Sequence, residues 1–131
     1  VEKKKTSQNI TGNMSKNILR SWENQEEPQS LKIFEIKRGD FVTYYDPIVK
    51  ADCVVNVQDW YWGRSQYDPV ELDTIYKKWI YYKAFNLKTK HLYYDGSRMA
   101  IVFEDYPSAR LSLPEEINQY MEALKKEGLT L

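Results

Sequence analysis

The chain has one cysteine, one histidine, five glycines and no net charge, and each shortage removes a class of function. A lone Cys53 forbids an intramolecular disulfide and a cysteine-rich zinc site, and its neighbours Val54 and Val55 suit a buried, inert thiol rather than a nucleophile. With His91 alone, a triad or a cysteine-histidine pair has a single imidazole to use. No nucleophile-elbow sequence accompanies it, and its place beside Lys90 and Leu92 near a turn fits an ordinary surface or edge histidine. Five glycines leave little material for a phosphate-cradling loop. Nineteen basic and nineteen acidic side chains cancel, so nothing draws the whole molecule onto nucleic acid or an anionic membrane. No apolar run approaches the roughly 20 residues needed to span a bilayer.

Carboxylates are plentiful, but Asp59, Glu71, Asp73, Glu104 and Asp105 all stand beside turns or strand ends. Acids there act as caps or solvated loop groups more often than as the paired carboxylates of a hydrolase. Asp68, Glu71 and Asp73 lack the spacing of an EF-hand loop. The expectation is a domain with no catalytic residues, no metal and no cofactor.

A length of 131 residues with 42% hydrophobic side chains suits one core. Residues 1–13 are polar and read as a tail, with residues 14–131 forming a single domain. The start at Val1, followed by Glu2 and three lysines, gives the expectation of a removed upstream signal or membrane anchor and an extracytoplasmic setting. A linker from a longer intracellular chain is the other reading.

Within the domain, Ser15 can cap a short amphipathic helix over about 16–23 that carries Ile18, Leu19 and Trp22. Ile33, Phe34 and Ile36 predict a strand that turns at Arg38, Gly39 and Asp40 into a second strand over 41–45. Residues 53–62 predict a third, with Cys53, Val55, Val57 and Tyr61 on one face and Val54, Trp60 and Trp62 on the other. Asp68, Pro69 and Glu71 resemble a helix start, although Leu72, Ile75, Tyr76, Trp79 and Ile80 run into strand-like composition. A helical turn over 69–76 and a strand over 78–87 follow.

Strands at about 90–95 and 98–104 complete a meander with 78–87. A C-terminal helix begins with Ser112 as cap and Pro114 in its first turn and stops at Gly128, with Ile117, Tyr120, Met121 and Leu124 buried. The predicted class is α+β: an antiparallel sheet of five to six strands with the two terminal helices on one face.

Aromatic usage is what stands out, with eleven tyrosines and four tryptophans, many of them adjacent. In a strand, consecutive side chains point to opposite faces, so each pair sends one ring to each side of the sheet. Two short helices can cover one side, which leaves a second, ring-rich face open to a partner unless the sheet curls to bury it. Tyr44, Trp60, Trp62, Tyr82 and Tyr93, with Lys83 and Lys88 beside them, are the candidate partner-binding residues.

Lys77, Lys78, Lys83, Lys88 and Lys90 gather near the strand at 78–87, whereas Asp59, Asp68, Glu71 and Asp73 precede it. This is a basic edge beside an acidic one, although edge lysines also serve to discourage aggregation. The functional expectation is a non-catalytic protein-binding domain, with a toxin-neutralising immunity or inhibitor protein as its narrower form. The alternative is a β-cup for a lipid or sugar, in which Trp60, Trp62, Tyr81 and Tyr93 point into a void.

Overall fold

A computed structural model describes residues 35–131, so the polar tail, the helix expected at 16–23 and most of the strand expected at 31–36 lie outside the described residues. Eight strands and one α-helix follow: β1 (Phe41–Asp46), β2 (Ala51–Asn56), β3 (Asp59–Gly63), β4 (Tyr76–Tyr81), β5 (Ala84–Asn86), β6 (His91–Tyr93), β7 (Met99–Ile101), β8 (Arg110–Leu111) and α1 (Pro114–Lys126). They form a five-stranded sheet in the order β6-β5-β2-β1-β8 and a three-stranded sheet in the order β3-β4-β7, with every pairing antiparallel. The class is α+β as expected, but the strands number eight and lie in two sheets.

The two sheets are made largely from one bent hairpin. Each strand predicted as continuous, 53–62 and 78–87, breaks once, at Val57 and Gln58 on one side and at Tyr82 and Lys83 on the other. The register survives the corner, since Val54 faces Phe85 before it and Trp60 faces Trp79 after it, the same number of residues on along each strand. Alternation does not survive it. Val57 and Trp60 pack into the same core, as do Tyr81 and Ala84, so each strand slips by one side-chain direction where it changes sheet. Trp60 therefore joins Cys53, Val55 and Val57 rather than opposing them, while Phe85 and Leu87 leave the side shared by Trp79 and Tyr81.

The predicted meander is corrected for the same reason. β6 pairs with β5, but β7 crosses over to pair with β4, so the chain from β6 to β7 passes from one sheet to the other. The turn at Arg38, Gly39 and Asp40 is present, with Gly39 at φ +94°. Ile36, however, is a core plug outside any strand, and the neighbours of β1 are β2 and β8. Asn56, buried in β2, donates to the Gly39 carbonyl at 3.0 Å and holds that turn to the sheet.

Three layers result. Between the sheets lie Ile36, Val42, Tyr44, Cys53, Val55, Val57, Trp79, Ile101, Phe103 and Ala109. On the other face of the larger sheet, Val54, Phe85 and Leu92 meet Tyr120 and Leu124 of α1. β2 is covered on both faces, which explains its nearly unbroken apolar run Cys53, Val54, Val55. Met121, expected on the buried face of α1, is exposed, and Ala123 packs inward instead.

α1 is fixed at both ends by residues the sequence marked, although not all in the expected roles. It begins one residue later than expected, at Pro114, and the Ser112 hydroxyl bonds that of Thr43 at 2.7 Å instead of capping. Glu116 takes over: one carboxylate oxygen accepts the Leu113 N–H and the Thr43 hydroxyl, each at 2.9 Å, and Arg110 grips both oxygens at 3.0 and 2.8 Å. At the far end Gly128, at φ +70°, lets its own N–H reach the Lys125 carbonyl and that of Leu129 the Leu124 carbonyl, a Schellman closure. No helix among the described residues is long and apolar enough to cross a membrane.

Candidate functional site

The second sheet covers the face that the sequence left open, so the candidate residues must be placed again one by one. Tyr44 is a correction: at 3% exposure its ring lies edge-on between Phe103 and Tyr106 in the inter-sheet core, where no partner reaches it. Burial first, and then the charge of the neighbouring Tyr81, push its ionisation far above the usual tyrosine range. Tyr82 and Lys83 are half-buried at the corner between β4 and β5, Lys88 sits in the β5–β6 turn, and Tyr93 is 51% exposed on edge strand β6. Trp60 and Trp62 are on β3, in the other sheet. The seven candidates therefore do not form one surface. Nor do Trp60, Trp62, Tyr81 and Tyr93 line a cup: Trp60 and Tyr81 pack against the filled core, while Trp62 and Tyr93 face out.

Exposed apolar groups do concentrate on the outer half of the bent hairpin, formed by β3, β4 and the loop 64–75. Trp62 is 58% and Val70 86% exposed, and Tyr61, Tyr67, Leu72 and Ile75 are exposed with them. The loop is a built structure. Arg64 donates to the Pro69 carbonyl at 3.0 Å and the Val70 carbonyl at 2.9 Å, and meets Asp73 at 3.5 Å. The buried Ser65 hydroxyl donates to Asp105 at 2.7 Å and accepts the Tyr67 N–H at 3.0 Å, while the Tyr76 hydroxyl donates to Asp68 at 2.9 Å. That last bond raises the Tyr76 ionisation. The helical turn expected over 69–76 reduces to one turn closed by Leu72 N–H on the Pro69 carbonyl. Leu72 and Ile75 consequently face solvent instead of a helix-packed core.

Below the loop, rings and cations interleave on the stem. Trp60 packs edge-on to Trp62 with centroids 4.9 Å apart and tilts against Trp79 at 6.3 Å. Lys77 Nζ lies 4.5 Å from the centre of Trp60, within cation–π range. On the opposite face, Lys78 and Arg98 approach the Tyr61 ring at 6.0 and 5.9 Å. Gly63 makes this possible, because a Cβ there would stand 2.5 Å from Lys78 Cδ. Asp59 caps the free edge of β3: its carboxylate accepts the Trp60 N–H at 2.8 Å and the Arg38 guanidinium at 2.9 Å. The two together hold its pKa below the usual value, the Trp60 bond first.

The triplet at 60–62 and the lysines at 77 and 78 were legible in the sequence; Arg64, Tyr67, Val70 and Arg98 were not. Only the position of the first three within one strand-turn-strand unit could have drawn attention to them, and Arg98, just before β7, carried no such signal.

The acids of this surface are engaged within the hairpin itself. Asp68 and Asp73 each have their own partner, and among the described residues no three His, Cys, Asp or Glu side chains are grouped as metal ligands. Cys53 is buried between the sheets, with its thiol pushed up to about 11 by burial. His91 is exposed on β6. Away from the hairpin, a concavity of about 650 Å³ lies between α1 and β5, lined by Phe85, Lys90, Gln119, Glu122 and Lys126 among others. It is open and carries charges of both signs. No protein-family model, curated protein or solved structure matches the chain.

Proposed function

We propose that this is a non-catalytic protein-binding domain that docks through the outer half of the bent hairpin. The observation that carries the reading is the exposure of Tyr61, Trp62, Tyr67, Val70, Leu72 and Ile75 on one rigidly tied strand-loop-strand unit. Leaving such a set in water forgoes stabilisation that folding elsewhere in the chain obtains, and large apolar side chains gathered at the surface mark interaction sites. Trp and Tyr are the side chains that concentrate binding energy at interface centres. The docking surface is thus a hairpin tip and edge, not the open sheet face that the sequence suggested.

A toxin-neutralising inhibitor acting outside the cytoplasm is the narrower form of the same proposal, supported by the small size and by a surface suited to contact. Affinity capture with the full chain tests the reading. A stoichiometric partner held by the wild type and by Met121→Asp, and lost with Trp62→Asp and Val70→Asp, supports it. Loss with Met121→Asp alone assigns binding to the helix face and overturns it.

A further inference from the structure

The rings of the hairpin stem are surrounded by cations, Lys77, Lys78 and Arg98, that join no ion pair among the described residues. Lys77 and Lys78 are consecutive on β4 and so leave opposite faces of the smaller sheet, Lys77 toward Trp60 and Lys78 toward Tyr61, where Arg98 joins it. Two acids of the hairpin are paired elsewhere, Asp59 with Arg38 and Asp73 with Arg64. A partner that buries Trp62 and Tyr61 must also draw water from these cations. An apolar partner would leave them uncompensated, whereas one bearing carboxylates would pair them.

Resting on the docking reading above, we infer that the stem recognises an acidic protein segment in which Asp or Glu alternates with large apolar side chains. The segment crosses the free edge of β3, so that apolar groups meet Trp62 on one face and Tyr61 on the other, while carboxylates meet Lys77 on the first face and Lys78 and Arg98 on the second. Recognition runs through side chains rather than by addition of a strand, because Asp59 occupies the Trp60 N–H on the free edge of β3. A single-stranded nucleic acid also uses rings with cations. Here the same hairpin exposes Val70, Leu72 and Ile75, which offer a base nothing to stack on but give a protein apolar area to bury.

The test is fluorescence anisotropy of the full chain with three labelled probes: a Glu-rich peptide of about twenty residues with interspersed Leu and Phe, its Lys-rich counterpart, and an oligo(dT) of similar length. The inference expects saturable binding of the Glu-rich peptide that weakens about tenfold or more between about 50 and about 500 mM salt. Binding falls by a similar factor in Lys77→Glu/Lys78→Glu and in Arg98→Ser, and is unchanged in Lys125→Glu/Lys126→Glu on α1. Arg98 is exposed beside a turn, so its variant keeps the test valid if the double change on β4 disturbs the sheet.

No binding of the acidic peptide, equal loss in the α1 variant, or preference for oligo(dT) overturns the inference. If a native partner is still lost with Trp62→Asp while the acidic peptide fails to bind, the acidic specificity falls and the docking surface stands. If the Trp62→Asp and wild-type chains retain the partner equally, the docking reading itself falls.

Discussion

Lys77 and Trp60 form the closest cation-ring contact among the described residues, 4.5 Å from ammonium nitrogen to ring centre, and Trp60 in turn separates exposed Trp62 from buried Trp79. The three indoles therefore run from core to solvent along one face, and their removal has graded consequences. Trp60→Ala opens space against the core and costs about 2–4 kcal/mol, while Trp62→Ala stays within about 1 kcal/mol of wild type. Urea unfolding separates the two. Binding reverses the order of interest, since Trp62→Ala weakens partner capture without loss of fold.

Gly63 and Gly128 make a second contrast. Gly63 needs no positive φ, and its side is closed only by the flexible Lys78 chain. Gly63→Ala should therefore keep stability within about 1 kcal/mol while swinging Lys78 away from Tyr61 and lowering affinity for the acidic peptide. Gly128→Ala, by contrast, forces a Cβ at φ +70° and costs about 1 kcal/mol, with no effect on hairpin binding. Thermal melts beside anisotropy titrations distinguish them.

Acid sensitivity follows from Glu116. The Arg110 guanidinium first, with the Leu113 N–H and the Thr43 hydroxyl, holds its pKa down at about 2 against burial, which raises it. A depressed folded pKa means the contribution is fully present above the ordinary carboxylate value of 4.5 and is lost as pH falls from there toward 2. Glu116→Gln should cost about 1–2 kcal/mol near neutral pH, a figure already reduced for the solvent that reaches the pair. The gap to wild type closes as both are titrated through that window, as followed by denaturant unfolding at a series of pH values.

Tyr44 supplies the control for its own reassignment. Its buried hydroxyl meets Tyr81, so Tyr44→Phe should cost about 1 kcal/mol and leave partner capture untouched. A loss of binding at unchanged stability would return Tyr44 to the interface.

Much of the fold was legible because local chemistry and tertiary context agree. The C-terminal helix with Pro114 in its first turn, its Gly128 stop, the Gly39 turn and the buried Cys53 all follow from short-range rules. What was not legible is the corner. Residues 53–62 and 78–87 read as unbroken strands, since nothing local marks Val57 and Gln58, or Tyr82 and Lys83, as the place where a strand changes sheet. That bend reverses the inward side after the corner, sends Tyr44 to the interior and supplies the cover for the face thought open. Leu72 and Ile75 failed differently: their spacing fits a helical stripe, but the Arg64 and Asp73 contacts and the Tyr76 bond to Asp68 favour an extended loop. Of the ring triplet at 60–62, Tyr61 and Trp62 are exposed while Trp60 packs against the core, and its company of Lys77 and Arg98 came only with the pairing of β3, β4 and β7.

The docking claim is tested most directly by placing a photo-crosslinking amino acid at position 70 in one chain and at position 121 in another, and irradiating each with the captured partner. The account predicts a covalent adduct from position 70 that disappears when Trp62→Asp is added, and none from position 121. An adduct from position 121 with none from position 70 would contradict it.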